Sequence, residues 1–126
     1  MSEKNTITES EWRVMEALWQ QGGQTTGQLQ RALAETGWSR NTVATFLARL
    51  EAKGYVCSQG SPKKFYPLQE RQACQSWQTE DFLGRVFHGS IGMLMTSFLR
   101  DNHLKPQELE QLRQLLDAEE KRQKEG

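Results

Sequence analysis

The tightest constraint on this chain is a change of periodicity between Trp38 and Tyr66, in the stretch WSRNTVATFLARLEAKGYVCSQGSPKKFY. Val43, Phe46, Leu47 and Leu50 recur at i, i+3, i+4 and i+7, which predicts a helix with one continuous apolar stripe. Ser39 is placed to cap its start, and Trp38 just before the cap can staple onto Val43. Gly54 stops the helix. Two short β-prone runs follow, Tyr55–Ser58 and Lys64–Tyr66, on either side of a turn-rich loop from Gln59 to Lys63. A single helix cannot bury its own stripe, so the preceding chain has to supply partners.

It does so with two capped helices. Thr8 and Glu11 make a capping box, with Ile7 ready to staple onto Trp12. Trp12, Met15, Leu18 and Trp19 then recur at helical spacing, with Val14 and Ala17 beside them, as far as about Gln20 before Gly22 and Gly23. Two tryptophans on this helix are read as core, since a domain this small needs large apolar side chains. Thr25 and Gln28 form a second box on a short helix that carries Leu29 and Leu33 and ends at Gly37. Three helices followed by a hairpin is the order of parts in a winged helix-turn-helix, here residues 1–68.

Rotated away from the stripe of the third helix are Asn41, Thr42, Thr45 and Arg49, with Ala44 and Ala48 low between them. A solvated helix more often carries Glu and Lys, whereas threonines cost helix propensity without burying anything. Asparagine suits adenine edges, threonine offers a hydroxyl and a methyl, and arginine grips guanine or phosphate. The chain has 16 basic and 16 acidic residues, so net charge gives no reason to expect nucleic acid. The distribution does: Arg40, Arg49, Lys53, Lys63 and Lys64 face only Glu51 in this stretch, while acids lead past Arg100. The expected contacts to double-stranded DNA are Ser39, Arg40, Asn41, Thr42, Thr45, Arg49, Lys63 and Lys64. An ordinary solvated helix and surface hairpin, or a winged helix used only for protein–protein contact, are the alternatives.

From residue 69 to 126 the pattern is helical. Ala73, Trp77, Phe82, Val86 and Phe87 mark one helix, loosening at His88–Gly89. Ile91, Met93, Leu94, Met95, Phe98 and Leu99 mark a second. Pro106 opens a third with Leu109, Leu112, Leu115 and Leu116, before a solvated tail from Glu119. This is more apolar surface than a small domain hides, which predicts a helical dimerisation domain and a two-fold homodimer. The expected interface is Trp77, Phe82, Phe87, Ile91, Leu94, Met95, Phe98, Leu112 and Leu116.

Other classes find little support. No run approaches the roughly 20 apolar residues of a membrane span, and MSEKNTITESEW has no signal core, so a cytoplasmic protein without membrane association is expected. Cys57 and Cys74 lack metal or disulfide spacing. Met93, Met95, His88 and His103 are read as gap-filling rather than a copper site. No catalytic set or phosphate-binding glycine loop is present. The chain is expected to be no enzyme and to need no metal or cofactor.

ITESEWRVMEALW, WSRNTVATFLARLEAKGY and KKFYPL together resemble the BlaI/MecI/CopY family of bacterial repressors, which includes penicillinase and copper-responsive regulators. The resemblance covers nearly the whole chain. It implies a winged-helix DNA-binding half, an intertwined dimerisation half, and a homodimer that occludes a promoter at a palindromic operator until proteolysis or a metal or other ligand releases it. The family's DNA-contacting positions fall on Asn41, Thr42, Ala44, Thr45 and Arg49; members often carry a basic residue at the first or third of these. Penicillinase repressors are cut by a sensor protease at an Asn–Phe bond. The matching pair here is Ser97–Phe98, with the phenylalanine kept and the asparagine replaced. Copper sensors of the family end in clustered cysteines, which AEEKRQKEG lacks.

Overall fold

The computed structural model describes residues 6–126; the first five residues, the opening of the stretch read for a signal core, lie outside them. The chain divides into two compact units after Phe82.

The first unit is organised by three helices whose ends are written in the sequence. α1 (Glu9–Gln20) begins at Thr8, whose hydroxyl accepts from the Glu11 amide at 3.1 Å while the Glu11 carboxylate accepts from the Thr8 amide at 3.0 Å. This reciprocal pair satisfies amides that a helix start leaves open. α2 (Thr26–Ala32) has the same box on Thr25 and Gln28, and a 3-10 turn (Ala34–Thr36) carries it to Gly37 at φ 74°. α3 (Arg40–Ala52) is capped by Ser39, which accepts from the Thr42 amide at 3.1 Å. Gly54, at φ 87°, turns the chain back so that the Tyr55 amide donates to the Leu50 carbonyl at 2.9 Å.

Val14, Met15 and Leu18 of α1, Leu29 and Leu33, and Val43, Leu47 and Leu50 of α3 close one core with Tyr55, Val56 and Phe65. Phe46 sits at its rim, half-buried, and the ring of Trp38, expected on Val43, packs edge-on against it with 4.9 Å between centroids. Trp12 and Trp19 also line the rim and meet edge-on at 5.2 Å.

The hairpin is β1 (Val56–Gln59) against β2 (Lys64–Pro67), antiparallel, with Ser58 opposite Phe65 and Gln59 opposite Lys64. It is pinned on its other side. The Phe65 amide donates to the Gln24 carbonyl at 2.8 Å and the Gly23 amide to the Phe65 carbonyl at 2.9 Å. Gln24 is buried, its side-chain amide donating to the carbonyls of Ala17 and Gln21 at 3.1 and 2.6 Å. Gly23 has φ 74°, and a Cβ there would stand 3.0 Å from the Tyr66 ring. The wing is thus fastened to the loop between α1 and α2, which completes a winged helix-turn-helix.

α4 (Arg71–Phe87) starts in this unit. Cys74 is fully buried, the Trp77 ring meets Tyr55 edge-on at 6.2 Å, and the Trp19 indole N–H donates to the Gln69 carbonyl at 2.8 Å. These contacts carry the compact unit past the hairpin and into α4.

The second unit holds the end of α4, α5 (Ile91–Arg100) and α6 (Pro106–Glu125). His88 and Gly89 take left-handed conformations, φ 53° and 82°, where the loosening was expected, and Ser90 caps α5 through the Met93 amide. The solvated tail from Glu119 is exposed and helical as far as Glu125, supported by the Glu119–Arg122 pair one turn apart. Among the described residues no helix is long and apolar enough to cross a membrane.

Candidate nucleic-acid interface

The period of α3 sorts its side chains. Val43, Leu47 and Leu50 are buried; Arg40, Asn41, Ala44, Thr45, Ala48 and Arg49 are exposed, and Thr42 is half-exposed. Alanine and threonine keep the outward face shallow, so a partner can come close to the helix backbone. Thr45 donates its hydroxyl to the Asn41 carbonyl at 3.0 Å, which leaves its oxygen lone pairs and methyl available. Ser39 donates to the Thr42 hydroxyl at 3.0 Å, so the Thr42 hydrogen is free for an acceptor outside the protein. Shallow relief with outward donors, acceptors and methyls is what reading base edges requires.

Charge distributes less simply than the sequence implied. Lys53 does not belong with the surface cations, which corrects its place in the basic stretch. Its ammonium lies 2.7 Å from Glu11 Oε1 and 2.8 Å from the Thr6 carbonyl. Glu11 is wholly buried, and a carboxylate taken out of water needs a cation beside it. The capping residue therefore has a second role that fixes where Lys53 points. Glu51, the lone acid of the stretch, accepts from the Ser58 hydroxyl at 3.0 Å and is tied to the wing.

Arg40, Arg49, Lys63 and Lys64 are exposed and form no ion pair among the described residues. Lys63 lies 5.5 Å from the Phe65 ring centroid, a cation–π contact that steadies it on the wing. The rise from Arg40 to Arg49 is roughly 14 Å at helical spacing, close to the roughly 12 Å width of a DNA major groove. A cation outside the expected set also reaches this end of α3. Arg31 of α2 places Nη1, and Arg40 its Cζ, 3.8 and 3.9 Å from the point where a Cβ on Gly27 would stand.

Of the residues expected at a dimer interface, Trp77, Phe82, Ile91, Phe98 and Leu116 are exposed, and Phe87, Leu94, Met95 and Leu112 are half-buried. The Ser97–Phe98 bond lies inside α5, with the Ser97 carbonyl accepting from the Asp101 amide at 3.1 Å and the Phe98 ring edge-on to His103. Cys57 is half-buried and Cys74 buried, both as free thiols. Among the described residues no three His, Cys, Asp or Glu side chains gather as a metal site.

A family model described as penicillinase repressor matches residues 7–118. The methicillin resistance regulatory protein MecI of Staphylococcus aureus (strain N315) is 25% identical over 114 residues, spanning 88% of this chain and 93% of that protein. The penicillinase repressor of Bacillus licheniformis is 27% identical over 122 residues, 94% of this chain and 95% of its own. Among solved structures, AbfR of Staphylococcus epidermidis aligns with a TM-score of 0.51 at 24% identity, covering 92% of this chain and 75% of that one; this likeness speaks for the fold alone.

Proposed function

The chain belongs to the penicillinase repressor family, and from that premise we propose that it is a transcriptional repressor that holds a palindromic operator as a homodimer. One observation carries the reading: the exposed face of α3 is shallow and polar, and Arg40, Arg49, Lys63 and Lys64 around it have no acid of their own among the described residues. A surface hairpin and solvated helix would more often pair such charges locally.

In this reading Asn41, Thr42, Thr45 and Arg49 contact base edges, and Ser39, Arg40, Lys63 and Lys64 hold the phosphate backbone that fixes register. The apolar side chains of α4 to α6 pair two copies, which sets two α3 helices about one helical turn of DNA apart, near 34 Å. One such unit binds weakly; two bound together gain avidity from the same contacts. Repression is then lifted by whatever separates the copies. A sensor protease acting on the Ser97–Phe98 bond would do so by breaking α5, and the setting for this is the cytoplasm.

Selection of duplexes from a random-sequence pool by the full-length protein tests the proposal. An inverted repeat should be enriched, and Arg49→Ala should weaken binding to it by roughly tenfold or more, the scale of one bidentate base contact. A protein that enriches no duplex would leave the protein–protein use of the winged helix as the better reading.

A further inference from the structure

α2 carries a feature that the α3 face does not account for. Around the Cα of Gly27 three polar groups converge: Arg31 Nη1, the Arg40 guanidinium carbon and Thr25 Oγ1 stand 3.8, 3.9 and 4.0 Å from the position a Cβ would take. Two guanidinium groups facing one bare backbone position repel each other, and proteins ordinarily set a carboxylate between them. None is there. Glu35, four residues beyond Arg31, is the natural candidate, but its Oε2 is held by Arg13 Nη2 at 2.9 Å. Neither Arg31 nor Arg40 has an ion pair among the described residues. Thr25 Oγ1 already accepts from the Gln28 amide at 3.1 Å, so its own hydrogen is left to donate outward. The site is all donor, positive, and floored by a residue with no side chain.

We infer that Arg31, Arg40 and Thr25 form a clamp for one backbone phosphate of the bound duplex, with Gly27 leaving the room for it. The inference rests on the DNA-binding reading above and extends it from α3 to α2. Arginine forks match phosphate oxygens in two-point contacts, which a single lysine does not. Arg40 is the first residue of α3, so the clamped phosphate borders the groove in which α3 lies, at the end of the helix opposite Arg49. The clamp would then meet one wall of that groove while Arg49 reaches base edges from the other end of α3, and the angle at which α3 enters would follow from the pair.

The test uses the full-length protein and an inverted-repeat duplex enriched by it from a random pool, titrated between low and moderate salt. Arg31→Ala should lower affinity by about tenfold and reduce the slope of log K against log salt by about one for each phosphate no longer neutralised. Gly27→Glu should do the same without lowering the melting temperature, since the new carboxylate pairs with both arginines in place of the phosphate. Lys63→Ala/Lys64→Ala serves as the comparison that removes the wing charges alone. If Arg31→Ala and Gly27→Glu keep the wild-type affinity and slope while the wing variant is weakened in both, the clamp is wrong and the DNA reading stands. If the wild-type protein enriches no duplex, the reading beneath the clamp fails with it.

Discussion

Glu11 shows how one side chain can serve two levels of structure. Through Oε1 it caps α1 and receives Lys53, while Oε2 is buried with no hydrogen-bond partner among the described residues. Removing the lysine would strand a charge that has no route to water. Lys53→Met is therefore expected to destabilise the fold by about 3 kcal/mol in urea unfolding, at the lower end for a broken buried pair because Lys53 is 21% exposed. The same variant should leave the salt dependence of DNA binding unchanged, which separates Lys53 from Lys63 and Lys64. Nearby, burial pushes up the Tyr55 phenol, with Cys74 and Glu11 adding to the shift, and burial alone pushes up the Cys74 thiol. For both groups the folded state favours the neutral form. Their contribution is intact below the ordinary thiol and phenol range, about 8.5 to 10, and is lost as pH rises through the higher folded values. Unfolding free energy measured from pH 7 to 10.5 should fall at the alkaline end, and Cys74→Ser should reduce the part due to the thiol. A flat profile would show that neither group ionises against the fold.

At the scale of elements, helix starts and stops were the legible part. The boxes at Thr8 and Thr25, the Ser39 cap, and the left-handed turns at Gly37 and Gly54 are all formed as residue types imply. The wing was legible as a hairpin, but its anchorage was not. Nothing local marks Gln24 as buried, or as the bridge that holds Phe65. Gly23 is the hinge of that anchorage, having a positive φ and a Tyr66 ring against it. Gly23→Ala should cost about 1 to 2 kcal/mol for the left-handed conformation alone, and more if the Tyr66 ring cannot yield. Thermal unfolding would register it, and a melting temperature equal to wild type would mean that the wing does not depend on this loop. The solvated end of α6 stays helical to Glu125 without burying anything, supported by the Glu119–Arg122 pair one turn apart.

For the whole molecule, the distribution of apolar surface matters more than its amount. The first unit closes a core, whereas no residue of α5 or α6 is buried within the single chain, and Leu115 and Leu116 are each 66% exposed. Leaving a leucine in water forfeits the roughly 1.5 to 3 kcal/mol that burial would return, which is a reason to expect a second copy. Phe98→Glu should shift the protein from dimer to monomer in sedimentation velocity and weaken operator binding with it, because the paired half-sites lose their avidity. A Phe98→Glu protein that stays dimeric would move the interface away from α5. The period of the leucines was readable in the sequence, yet a single chain's pattern does not say what covers them.

What the sequence determined by itself is whatever depends on neighbours within a helical turn or a hairpin. The caps, the glycine stops, the buried stripe of α3 and its polar opposite face follow from local spacing, as does the reading of Thr42, Thr45 and Arg49 as outward groups. Tertiary structure decided the destinations of charged side chains. Lys53 meets Glu11 across 42 positions of chain and leaves the basic surface, while Arg31 joins Arg40 at Gly27 and adds to it. Composition and periodicity count such charges but do not aim them. Long side chains reach several ångströms from their own helix, so their partners are set by which elements pack together rather than by their place in the chain.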